Sequence, residues 1–245
     1  MSSLYFECTN GISGDMSVAS LLDLGANREK LDKALNSMNL NNEFSFEIKE
    51  VKVNSIKATD FNVILKQREK NHTHHHEHRN LNDVNSIIDF ADMSDNAKIL
   101  AKKIFSIVAK AESKVHSLPI NEVHFHEIGA IDSIADIVGF SVLFDDLKPE
   151  KVYFSPLTEG SGTIECQHGL MNVPVPAVCE IASEYRIPIK ISDNEGEMIT
   201  PTGIAIVAAL YNGEKLPETV YIEKFGLGAG KRKYKNPILR VMKIK

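Results

Sequence analysis

A chain of 245 residues, 43% hydrophobic and 25% charged, has the composition of a globular protein and enough length to bury a substantial core. Its formal net charge of −5 argues against a general nucleic-acid binder, and no apolar run nears the ~20 residues that span a bilayer. Three scattered cysteines, Cys8, Cys166 and Cys179, form no C-x-x-C pair, and with no secretion signal at the N-terminus they predict a cytoplasmic protein.

The first element, "SLYFEC" (3–8), reads as a short buried strand. "TNGISGD" follows as a glycine-rich turn, then an apolar-periodic helix through "MSVASLLDLG" that Gly25 closes. "NREKLDKALNSM" predicts a second helix capped by Asn27. "EFSFEIKEVKV" alternates apolar and charged residues, as a half-exposed strand does, and "ATDFNVILK" is its hairpin partner. The tract "NHTHHHEHRN" (71–80) has no apolar periodicity and predicts a mobile loop. Beyond it, "SDNAKILAKKIFSIVAKAESKVHS" is a long amphipathic helix capped by Ser94. "VHFHEIG" is a short extended segment entering the helix "IDSIADIVGFSVLFDDL". "KVYFSP" is a strand, and "GSGTIECQHGLMNVPVPAV" is punctuated by Gly and Pro before the helix "AVCEIASEY". "RIPIKI" is a strand, "TPTGIAIVAALY" a buried helix, and "TVYIEKFGLGAG" and "NPILRVMKIK" are closing strands. The class is mixed α/β (α+β), with helices packed on mixed sheets. The expected division is an N-terminal α/β subdomain (1–68), a His-rich loop (69–80) and a main metal-handling α/β subdomain (81–245).

The densest chemistry lies in "VHFHEIGAIDSIAD" (123–136). On an extended segment i and i+2 share a side, so His124 and His126 can converge. On a helix i and i+4 share a face, so Asp132 and Asp136 can too. With Glu127 these residues suit a borderline divalent cation such as Ni, Zn or Fe. The alternative is that Asp132 caps the helix and the histidines pack in a core. His72, His74, His75, His76 and His78 bind metal by composition, either as a collector or simply as any solvated histidine run would.

Further candidates carry paired readings. In "CTNGISGDM", Gly11 and Gly14 would let backbone approach a phosphate at the helix start beside Asp15; otherwise this is a tight turn with Asp15 as N-cap. "EGSGTIECQHG" offers His168 as a ligand or as a surface histidine. Thr200 or Thr202 caps the "TPTG" helix, with Pro201 in its first turn. "GLGAGKRKYK" sets Gly228, Gly230 and Lys231 either as a phosphate-holding turn or as a turn before a solvated basic strand. Cys8 is either a reactive thiol or a core cysteine.

Taken in order, "CTNGISGDM", the internal histidine-rich insertion, "HFHEIGAIDSIADIVG", "HGLMNVPVPA", "EMITPTGIAI" and "FGLGAG" resemble the LarC family of nickel insertion proteins over nearly the whole chain. The resemblance implies Ni(II) insertion into pyridinium-3,5-bisthiocarboxylic acid mononucleotide, with nickel–carbon and nickel–sulfur bonds formed by a CTP-dependent cyclometallase of the lyase class. It implies that the cofactor serves lactate racemase-type apoenzymes. Longer family members continue into a C-terminal portion associated with CTP, whereas this chain stops at Lys245, so the expectation is the N-terminal, metal-handling portion acting with a separate C-terminal one. No nucleic acid or membrane is implied, and a homo-oligomer is left open. The "SGD" and "HFHE" matches favour Asp15, His126 and Glu127 as catalytic, with His126 or Glu127 as the base, and His124, His126, Asp132, Asp136 and His168 as metal ligands. The tract His72–His78 is then a collector. Other classes remain: a non-catalytic nickel storage or chaperone protein, or a metal-dependent phosphoester hydrolase.

Overall fold

A computed structural model describes residues 2–66, 79–122, 131–166, 169–232, 234 and 236–245. In chain order its elements are β1 (Ser3–Glu7), α1 (Gly14–Leu24), α2 (Arg28–Ser37), β2 (Phe44–Val53), β3 (Ile56–Leu65), α3 (Leu81–Phe90), α4 (Asp95–His116), α5 (Ile131–Leu147), β4 (Val152–Phe154), β5 (Leu157–Ser161), β6 (Thr163–Cys166), β7 (Gly169–Asn172), α6 (Pro176–Tyr185), β8 (Ile189–Glu195), α7 (Pro201–Leu210), β9 (Ile222–Ala229) and β10 (Ile238–Ile244). The mixed α/β class is as expected.

One mixed sheet runs in the order β2-β3-β9-β10-β1-β4. β1 pairs antiparallel with β10 and parallel with β4, while the β2–β3 hairpin joins at a single parallel pair, Thr59 with Gly228. Strands from both sides of residues 69–80 therefore build this sheet. The β3–β9 seam is short, and Asp23 of α1 braces it. The Asp23 carboxylate accepts from the Thr59 hydroxyl (3.1 Å) and the Leu227 N–H (2.8 Å). β5 and β8 form a separate parallel pair, and β6 and β7 a small hairpin.

The helices form the other layers. α1 lies on β3, β9 and β10; α5 packs against α1, α2 and α4; α4 carries α6 and α7. α5 and α7 are buried along nearly every face, as their apolar composition demands. Among the described residues no helix is long and apolar enough to cross a membrane.

Local signals explain most boundaries. Gly25 ends α1 in the left-handed region, Asn27 accepts from Glu29 N–H (2.8 Å), and Ser94 accepts from Ala97 N–H (3.2 Å). α3 was not expected, although its capping box is present in sequence: Asn80 accepts from Asp83 N–H (3.1 Å) and Asp83 from Asn80 N–H (2.9 Å). "GLGAG" is strand as far as Ala229, as the closing-strand reading has it and against the turn reading. A Cβ on Gly226 would lie 2.2 Å from the Ser20 carbonyl oxygen, and one on Gly228 2.1 Å from that of Met16. Glycine here lets α1 press onto β9.

Candidate functional site

Three helices bring their N-termini to one cleft of about 460 Å³. Its walls are the starts of α1, α5 and α7, with Asn62 of β3 opposite and the segment Gly230–Arg232 plus Tyr234 closing one side. Each helix start follows from local chain geometry.

After β1 the chain turns at Gly11, whose φ is 82° and whose N–H donates to the Cys8 carbonyl (3.1 Å). A Cβ there would meet the Met198 carbonyl oxygen at 2.2 Å. The absent side chain lets Ile12 donate to Met198 O (3.0 Å) and accept from Thr200 N–H (3.1 Å). The starts of α1 and α7 are thereby tied together. Glu159 holds this junction from behind. It is fully buried, and its Oε1 accepts from Gly160, Met198 and Ile199 N–H at 2.8, 2.6 and 3.1 Å.

Asp15 lies in the first turn of α1 and is not its N-cap. Ser13 holds the cap position, and its hydroxyl donates to Asp15 Oδ1, which also accepts from Met16 N–H at 2.9 Å. Asp15 Oδ2 pairs with Lys231 Nζ at 3.3 Å. Asp132 likewise sits in the first turn of α5 and accepts from Ser133 N–H (2.8 Å). Asp136 stands one turn further, directly against Gly14, where a Cβ would lie 2.4 Å from its Oδ2. Its Oδ1 is sealed from solvent, with no hydrogen-bond partner among the described residues.

Electrostatics follow from this crowding. Burial, then the charges of Asp15 and Asp132, push the Asp136 carboxyl well above the usual carboxylate range. Asp132 keeps an exposed face, yet desolvation raises it too. Burial also raises Asp60, which feels Asp15 and is partly relieved by Lys231. Burial and the Asp15 charge raise the Tyr234 phenol, whose hydroxyl donates to Asn10 O (2.8 Å). Arg232 is paired with Glu197. Several acids that cannot all ionise cheaply thus lie together, with one lysine among them.

Of the expected site residues, Asp15, Asp132, Asp136, Gly14, Gly230 and Lys231 line this cleft. Gly11 and Gly228 do not, and the space beside each is filled by backbone of another segment. The Gly230 N–H is also taken, by the Pro237 carbonyl at 2.7 Å. Cys8 is no reactive thiol, since it is fully buried and burial pushes its pKa up. His72, His74, His75, His76, His78, His124, His126, Glu127 and His168 lie outside the described residues. Among the described residues no three His, Cys, Asp or Glu side chains converge tightly enough to hold a metal ion. Sequence reasoning missed Asp60 and Asn62, whose i, i+2 spacing on a strand was the available signal.

The family model described as "nickel insertion protein" matches residues 4–245. The chain is 47% identical over 239 residues to the pyridinium-3,5-bisthiocarboxylic acid mononucleotide nickel insertion protein of Alkaliphilus metalliredigens, covering 93% of this chain and 56% of that protein. It is 49% identical over 233 residues to the protein of that name from Acetivibrio thermocellus (94% and 56%), and 41% over 249 residues to the one from Clostridium kluyveri (98% and 61%). The chain thus spans little more than half the length of these curated relatives. No solved structure matches it.

Proposed function

Because the chain belongs to the nickel insertion protein family, we propose that it carries the metal-handling part of nickel insertion into pyridinium-3,5-bisthiocarboxylic acid mononucleotide, the substrate in its relatives' names. Ni(II) is the cargo, and the product is a nickel-pincer cofactor. The observation that carries this reading is the acidic cleft, in which Asp15, Asp132 and Asp136 share one wall with Lys231.

The chemistry fits an open site. Carboxylates hold nickel less tightly than sulfur does, so the two thiocarboxylates of the substrate can draw the metal off. With no closed cage among the described residues, the substrate completes the coordination. As the nickel–carbon bond forms, the ring C–H bond breaks, its electron pair passes to nickel and the proton goes to a base. Asp136 lines the cleft, and burial with the charges of Asp15 and Asp132 raises its carboxyl above the usual range, so it is the candidate to take that proton. Glu127 and His126 stay as candidates on the resemblance, four and five residues before α5 in sequence. The His72–His78 tract acts as a collector that raises local nickel concentration. The lyase assignment, the need for a CTP-binding C-terminal portion, a cytoplasmic location and a lactate racemase-type recipient belong to the same proposal.

The test is reconstitution from the untagged chain, the mononucleotide, nickel, CTP and the C-terminal portion, with each omitted in turn. The nickel–carbon product must appear when this chain is present and fail without it. Stoichiometric nickel binding with no contribution to product would mean storage or delivery instead.

A further inference from the structure

The proposed substrate is a mononucleotide, and its phosphate needs a seat. We propose that a phosphate monoester dianion binds at the N-terminus of α7, on the Thr202 hydroxyl and backbone N–H, with Lys231 as the nearby cation. This deepens the reading above and rests on it.

All three helix starts in the cleft offer unpaired N–H groups and partial positive charge. Two are already neutralised by their own side chains. Asp15 accepts from Met16 N–H in α1, and Asp132 accepts from Ser133 N–H in α5. The first turn of α7 is Pro201-Thr202-Gly203 and carries no acid. Within it Thr200 satisfies Gly203 N–H (3.1 Å) and Pro201 has no N–H, while the first intrahelical bond, from Ile204 to Thr200, begins beyond Thr202. The Thr202 N–H is therefore the donor this terminus presents.

The second observation is independent of the helix end. Thr202 is only 6% exposed and lines the cleft. Among the described residues its hydroxyl has no hydrogen-bond partner, and it is not one of the oxygens sealed from solvent. A nearly buried hydroxyl left unpaired costs stability unless something in the cavity meets it. The three aspartates repel an anion from the α1 and α5 ends, whereas nearby Glu197 is paired with Arg232. The cleft thus has an acidic end for a cation and an α7 end for an anion. Lys231 lines the same cleft, half-exposed, with its Nζ 3.3 Å from Asp15.

Inorganic phosphate, a nucleoside monophosphate and CTP share this chemistry, so the experiment separates them. Calorimetry on the full chain compares a pyridinium mononucleotide, its dephosphorylated nucleoside, inorganic phosphate and CTP. It uses wild type, Thr202→Val and Thr202→Ser. The mononucleotide should bind more tightly than the nucleoside, and phosphate should compete with it. Thr202→Val should weaken the mononucleotide by roughly tenfold or more, the scale of a hydrogen bond to a charged group, and leave the nucleoside unchanged; Thr202→Ser should restore binding. Lys231→Gln serves the same comparison if the valine variant does not fold. Equal binding of nucleotide and nucleoside, equal losses for both in Thr202→Val, or CTP as the ligand that Thr202→Val abolishes would each overturn the proposal. None of these results touches nickel uptake at the acidic end, which is scored separately by metal analysis of Asp136→Asn.

Discussion

Asp136→Asn removes a charge while nearly preserving shape. In the folded chain, burial and the charges of Asp15 and Asp132 raise the Asp136 carboxyl, and its Oδ1 has no partner among the described residues. A carboxyl whose pKa rises on folding binds its proton more tightly in the folded state. Its contribution to stability is therefore full below the unfolded value of about 3.9 and is lost as pH climbs through the higher folded value. As pH rises above the unfolded value the wild type bears a growing cost, because the buried group either keeps a proton the unfolded chain has released or ionises out of water. Asparagine carries no charge and can still accept from the Asp15 N–H. The variant is expected to be more stable at pH 7 by about 1–3 kcal/mol, the scale for a buried polar group without a partner. In a chain of this size each kcal/mol moves the melting temperature by about 2–4 °C. The assay is thermal unfolding of both proteins across pH 4–8, with and without nickel. The gap should be widest near neutrality and close toward pH 4, nickel should stabilise the wild type more than the variant, and cofactor formation should collapse in the variant. A variant less stable by the same amount at every pH would make Asp136 a packing residue and refute the reasoning. Equal stabilisation of both proteins by nickel would remove Asp136 from the metal's path.

Three other substitutions test the scaffold and the collector. Gly228→Ala drives a Cβ to 2.1 Å from the Met16 carbonyl and should cost about 1–3 kcal/mol or more by overpacking, read as a lower denaturant midpoint. Glu159→Ala strips the acceptor from three buried N–H groups at about 1–3 kcal/mol for each one left unpaired, whereas Glu159→Gln keeps an acceptor and should lose far less. Replacing His72, His74, His75, His76 and His78 by Ala should lower nickel stoichiometry without moving the melting temperature, and cofactor yield should recover as nickel is raised. A yield that stays low at saturating nickel would give the tract a role beyond collection.

Elements whose patterns repeat over many residues were legible in sequence. α4 and α5 appear where apolar periodicity put them, the β2–β3 hairpin where charged and apolar residues alternate, and α1 and α2 on either side of their caps Gly25 and Asn27. What failed was short or depended on distant partners. α3 has a capping box but only a brief apolar stripe, which a polar tract beside it obscured. "GLGAG" admits two readings, the end of a closing strand or a turn, because glycine in sequence signals backbone freedom, and the strand reading holds as far as Ala229. In the fold Gly226 and Gly228 are extended and supply thinness instead, since α1 occupies the space their side chains would fill. No local pattern tells these two uses apart.

The site shows the same limit more sharply. "NGISGDM" reads as a turn before a helix, "AIDSIAD" as a helix entered from an extended segment and "TPTGIA" as a capped helix start, and each does start a helix. That the first and third meet depends on Ile12 bonding Met198 and Thr200, and on Gly11 and Gly203 each lying about 2.2 Å, at the Cβ position, from a carbonyl of the other segment, while the second joins where Asp136 lies against Gly14. Those glycines mark where backbone meets backbone. The charge on each helix start, by contrast, is plain in sequence: Asp15 and Asp132 load two of them with acid, and Pro201-Thr202-Gly203 leaves the third without. Once the fold brings them together, that difference polarises the cleft. In the function proposed above, that polarity gives a cation the first two starts and an anion the third.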